Sequence, residues 1–115
     1  MMDQAKELRG KVFNLEQFVA YADGAVVSKT LLKKDAGTVT LFAFAGGQGL
    51  SEHTAPFDAA VYILDGEARI TIGGDPQTVG VGQMLIMPAN VPHALKAEVP
   101  FKMLLVMIRG AENAV

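Results

Sequence analysis

A chain of 115 residues holds one domain, and with 50% hydrophobic and 19% charged residues it can bury a core and is not disordered. Ten basic and twelve acidic residues give a net charge of −2, spread along the chain, which excludes an electrostatic footprint for nucleic acid or an anionic membrane. The absence of cysteine removes disulfides, thiolate metal sites and cysteine nucleophiles together.

The opening MMDQAKELRG has no apolar core of the kind a signal peptide needs, and no apolar run is long enough to span a bilayer. A cytoplasmic protein is therefore expected. Residues 1–10 are polar and read as a flexible terminus, with a single domain over 11–110. The stretch NLEQFVAYADG reads as one short helix: Asn14 suits the N-cap, Gln17 falls at the capping-box position, and Gly24 can stop it. Everything after it reads as strand. AVVSKTLLKK is rich in β-branched residues, and GTVTLFAFAGG opens and closes on glycine. AAVYILDGEARITIGG is two apolar runs joined by Asp65-Gly66, the strongest short hairpin signal, and Gly73-Gly74-Asp75-Pro76 makes the next turn. QTVGVGQMLIMP and HALKAEVPFKMLLVMI bring the count to about eight short strands, the pattern of an all-β sandwich or barrel.

Two strands carry an assembly signal. In VTLFAFA and FKMLLVMI both alternating faces are apolar: Phe101, Met103, Leu105 and Met107 share one, Leu104, Val106 and Ile108 the other. A strand wetted on one side alternates apolar with polar, so both faces are expected to be covered. A second subunit making a homodimer is the expected cover, with a second sheet or the N-terminal segment as the alternative.

The chemistry rests on the only two histidines, His53 and His93. On a regular strand His53 shares its face with Ala55 and Ala59, which bind no metal. Asp58, Glu52 and Thr54 have the opposite parity, although Pro56 can break the phase and turn Asp58 inward. Around His93 the same-face residues are Leu95 and Ala97. A lone interior histidine is more often hydrogen-bonded than a metal ligand. There is no Ser-His-Asp set, phosphate loop or carboxylate pair at useful spacing, and GGQG opens no helix. Met84, Met87, Met103 and Met107 lie in predicted strands as adaptable fillers; without cysteine, they give little support for a copper(I) site. Pro88 and Pro92 stiffen the loop that delivers His93, and either preceding peptide bond is a candidate for cis.

At these two stretches the sequence resembles the small single-domain cupins of the RmlC-like jelly-roll family. That family's first motif is Gly, five residues, His-x-His, three or four residues, Glu, six residues, Gly; here Gly47, QGLSE and His53 fit it, and Gly66 closes it. The second is Gly, five residues, Pro-x-Gly, two residues, His, three residues, Asn; here Gly82, QMLIM, Pro88 and His93 fit it, with Asn90 at the glycine position. The resemblance covers about residues 25–108. It implies a cupin-type antiparallel jelly-roll β-barrel with a short N-terminal helix, and a dimer. It also implies a divalent metal inside the barrel on three histidines and a glutamate. Carried over by position, two of those ligands are His53 and His93. The other histidine falls on Ala55 and the glutamate on Ala59, and the second motif's asparagine falls on Ala97.

Half the implied ligand set is therefore alanine. The expected function is binding of a small-molecule ligand in a metal-poor barrel, with His53 and His93 as polar anchors and Phe44, Val61, Ile63, Leu85 and Leu95 as walls. The alternative is an enzyme of dioxygenase, isomerase or decarboxylase type, with a weakly held divalent transition metal on His53 and His93 and Asp58, Glu52 or Gln48 as third ligand.

Overall fold

The computed structural model describes residues 8–110. One helical turn, α1 (Leu15–Phe18), precedes eight strands: β1 (Val26–Lys34), β2 (Gly37–Phe44), β3 (Gly49–His53), β4 (Asp58–Ile72), β5 (Asp75–Gly80), β6 (Met84–Met87), β7 (His93–Lys96) and β8 (Phe101–Ile108). Every pairing is antiparallel. The strands form one curled sheet in the order β1-β2-β8-β4-β7-β3, with β5 and β6 also paired to β4. This is the jelly-roll barrel. No helix among the described residues is long and apolar enough to cross a membrane.

The helix is shorter than the sequence suggests. Asn14 caps it as expected, its side chain accepting from the Gln17 amide at 3.4 Å, but it ends at Phe18 and not at Gly24. Val19 is already extended and 1% exposed, because it packs with Leu31, Leu41 and Ala43 on the outside of the sheet. Burying Val19 there favours an extended strap over further helical turns. Leu8, Phe13, Leu15 and Phe18 join the same outer cluster. The expected flexibility of residues 1–10 lies outside the described residues except at 8–10, where Leu8 is packed.

Asp65-Gly66 is not a hairpin. β4 runs straight through it, and the two apolar runs on either side do not pair with each other. Residues before it pair with β6 and β8, and residues after it with β5 and β7. The ladder with β8 slips between Ile63 and Asp65, which marks a bulge. Gly66 has φ +69°, and a Cβ there would run into the Pro100 carbonyl. The glycine therefore bends one long strand from one wall of the barrel to the other. Tertiary pairing overrides the local turn signal because the bend buries Val61, Ile63, Ala68 and Ile70 in a single core. The tight hairpin is instead Gly73-Gly74, both with positive φ, joining Ile72 to Asp75.

Inside, Phe44, Val61, Ile63, Ala68, Ile70, Leu95, Ala97, Phe101 and Met103 belong to one buried cluster. Outside, the N-terminal strap packs against Leu31, Leu41, Ala43 and Leu104. Lys102, 7% exposed, donates to the Glu16 carbonyl at 2.7 Å and meets its carboxylate at 3.3 Å. The Tyr21 hydroxyl donates to Asp65 at 2.6 Å. The alternative cover for the doubly apolar strands, the N-terminal segment, is thus present over Leu41 and Leu104. Ile108, Ile86 and Met84 stay bare, at 66%, 62% and 59% exposure.

Candidate functional site

β3 and β7 pair at one end of the barrel, with His53 directly opposite His93. His93 follows from simple alternation: it pairs with Ile72 and Leu95 with the buried Ile70, so both face inward. His53 does not. Leu50 pairs with Leu95 and faces inward, so regular alternation would send His53 out. A register shift between Leu50 and His53 turns it in. Bulges beside sites commonly re-aim one side chain in this way. Asn90, at the glycine position of the second motif, has φ +63°, the only positive value on a non-glycine among the described residues. Asparagine tolerates that conformation, so the loop that delivers His93 keeps its turn. Its amide donates to the Ala55 carbonyl at 2.7 Å, tying the two motifs together. The peptide bonds before Pro88 and Pro92 are trans.

The two imidazoles meet edge to face, with Nε2 atoms 3.1 Å apart. Each Nδ1 lies against a backbone carbonyl, His53 on Ser51 at 2.8 Å and His93 on Val91 at 3.2 Å. A carbonyl oxygen only accepts, so each Nδ1 carries the proton. A neutral ring with its proton at Nδ1 presents only a lone pair at Nε2. Two lone pairs at this distance repel unless an electron-pair acceptor, a proton or a cation, stands between or beside them. His93 is 4% exposed, whereas His53 is exposed and stands at the mouth.

A cavity of about 220 Å³ opens beneath the pair, lined otherwise by Leu50, Ala55, Phe57, Ala59, Met87, Leu95, Met103, Leu105 and Met107. No charged side chain among the described residues lines it. Of the five wall residues expected from the sequence, only Leu95 does so. Phe44, Val61 and Ile63 face inward but are fully buried, because the barrel around them is filled. Leu85 packs at the core's edge and lines a shallow surface groove. Alternation told which face these residues occupy but not which part of the interior is hollow. Ala55 and Ala59 mark the hollow part, since two small residues stand where larger side chains would fill it.

The candidate third ligands lie elsewhere. Asp58 stays outside: its carboxylate accepts from the Ala89 amide at 2.8 Å in a groove shared with Phe57, Ile108 and Arg109. Pro56 does not turn it inward, because Ala59 takes the inward position between Met87 and Met107. Gln48 lines a separate depression with Gly47, Ser51 and Lys96, and Glu52 is exposed. No group of three His, Cys, Asp or Glu side chains able to hold a metal forms among the described residues. A three-histidine, one-glutamate ligand set therefore does not fit these residues: its two missing members are alanines, and no other oxygen donor replaces them.

The fold and the inward histidine pair define a small β-barrel with a cavity at one end. The cupin domain family model matches residues 40–108, and the chain belongs to the cupin family. It is similar to a conserved protein of unknown function, SPY1581, from Streptococcus pyogenes: 38% identity, 90% of this chain and 91% of that one, TM-score 0.85. A cupin 2 conserved barrel domain protein from Leptotrichia buccalis is 43% identical over 84% of this chain, which spans 47% of that chain, with TM-score 0.82. A cupin superfamily protein, DSY2733, from Desulfitobacterium hafniense DCB-2 is 28% identical over 89% and 94% of the two chains, with TM-score 0.83. No curated protein matches this chain.

Proposed function

We propose that the protein binds one small, mostly apolar, acidic molecule in the barrel, with His53 and His93 as its polar anchors. The observation that carries this reading is the imidazole pair, 3.1 Å apart, as the only ionisable groups among the described residues that line an otherwise apolar cavity. A carboxylic acid or acidic phenol supplies the proton that the facing Nε2 atoms lack, and its anion then sits beside the protonated pair. Its apolar body fills the space among Phe57, Leu95 and the methionines. An apolar cavity of about 150 Å³ accommodates benzene, so this one suits a molecule somewhat larger.

The test uses chelator-treated full-length protein and a series of small aromatic and branched-chain carboxylic acids and phenols. Binding is followed by calorimetry and by side-chain chemical shifts. At least one member should bind, perturb His53, His93 and Leu95, and lose its affinity in His53→Ala and His93→Ala. Binding unchanged in the double variant, or no binding across the series, would sink the reading.

For the partner, we propose a second copy of this chain. Met84, Ile86 and Ile108 are more than half exposed. By register Met84 adjoins Tyr62, and Ile86 adjoins Ala60, which is opposite Val106, making an apolar strip across β6, β4 and β8 that ends at Ile108 opposite Asp58. Ile86→Glu should convert a dimer to a monomer in sedimentation analysis; a monomeric parent protein would end this proposal.

A further inference from the structure

Three of the six methionines converge on the histidine cavity: Met87, Met103 and Met107. Their convergence has a register behind it. Ala59 pairs with Met87 on β6 and with Met107 on β8, so these three residues form one inward row across adjacent strands. Directly opposite neighbours on one face lie with Cβ atoms about 5 Å apart. Two thioethers thus flank the position where the cupin ligand pattern has a carboxylate. Met87 is 5% and Met103 1% exposed, and Met107 is half-buried. The two imidazoles face the same space, each held by a backbone carbonyl at Nδ1 and turning its Nε2 toward the other at 3.1 Å.

This donor set is soft. Hard cations such as magnesium, calcium and manganese need oxygen ligands, and the cavity lining offers no side-chain oxygen. Thioether sulfur with imidazole nitrogen suits copper(I). An ion about 2.0 Å from both Nε2 atoms across a 3.1 Å gap makes an N–metal–N angle of about 100°, near tetrahedral, which leaves two positions for sulfur.

We infer that His53, His93, Met87 and Met107 form a copper(I) site, with Met103 as an additional sulfur in the same pocket. It differs from the three-histidine, one-glutamate set in both ligands and metal. It goes beyond the guest-binding reading and uses the same imidazoles, so its test must separate the two. The exposed His53 provides the entry path, and the apolar wall shields a bound ion from water.

The full chain, freed of metal, is titrated with copper(I) under ascorbate without oxygen, against a colorimetric copper(I) chelator. One equivalent should be retained, and the X-ray absorption of the copper should show both nitrogen and sulfur neighbours. Met87→Leu with Met107→Leu keeps the imidazoles and the apolar walls. Copper(I) affinity should fall roughly 10–100-fold in this variant, while the thermal transition stays as in the parent. If the double variant does not fold, each single substitution is measured in the same way. Copper held equally well by the leucine variants, an absorption spectrum without sulfur, or zinc(II) retained in preference would overturn the site. Failure of the organic acids alone leaves it standing, and failure of copper alone leaves the guest-binding reading standing.

Discussion

The two ends of the barrel are built from the same strands and differ in what those strands carry. At the end near Gly66, Phe44 and Phe101 stack at 4.5 Å between centroids and 12° between planes, and both are fully buried. At the other end the same inner faces carry Ala59, Met107 and, on the loop before β4, Ala55, and a cavity results. The outer surface follows the same division. Behind the filled end the strap is pinned through Tyr21 to Asp65 and through Glu16 to Lys102. Behind the hollow end Ile86 and Ile108 are bare. Aromatic rings fill the barrel at one end, and alanines leave it open at the other.

The largest test of this division is Phe101→Ala. It removes a fully buried ring and its stacking partner, and should cost about 3–5 kcal/mol in denaturant unfolding. A loss below about 1 kcal/mol would mean that the filled end does not dominate stability. Next come two alanine-to-leucine changes. Ala68 is fully buried in the packed region, so Ala68→Leu should overpack it and cost about 1–3 kcal/mol. Ala59 lines the cavity, so Ala59→Leu should cost less than about 1 kcal/mol while abolishing binding of the acids in calorimetry. Equal costs at the two positions would break the comparison.

Tyr21→Phe tests the strap. Partial burial pushes the Tyr21 phenol above its ordinary value, helped by the hydrogen bond to Asp65 and by the Asp65 and Glu16 charges. A folded-state value above the unfolded one adds stability that is fully present below about pH 10 and fades as the pH rises beyond it toward the folded value. Tyr21 is 37% exposed, so solvent screening limits the loss on substitution to about 1 kcal/mol. The deficit of the variant should shrink as phenolate absorbance appears; a pH-independent deficit would contradict this linkage. The smallest effect is expected at the hollow end. Thr38 pairs with Met107, and its hydroxyl is the one buried side-chain polar atom without a hydrogen-bond partner among the described residues. Thr38→Val keeps the shape and removes that hydroxyl, so it should raise stability by up to about 1 kcal/mol.

The strand-rich pattern, the capping role of Asn14, the histidine pair and the alanines at 55 and 59 were legible in the sequence. Each depends on residue type, spacing or alternation, which the chain carries locally. The alternating inner faces of β4 and β8 were legible too, including Phe101 through Met107. Other features needed the pairing. Asp65-Gly66 carries the same local signal whether it closes a hairpin or bends a strand, and only the separate partners of the two halves of β4 decide. His53 turns inward through a slip against β7 that strand parity does not contain. Met87 and Met107 lie twenty residues apart in number, yet Ala59 brings them into one row because it pairs with both. Sequence by itself determined which faces are apolar and which two imidazoles exist. The tertiary structure decided where the barrel is hollow, because cavity volume depends on which side chains meet across strands distant in the chain.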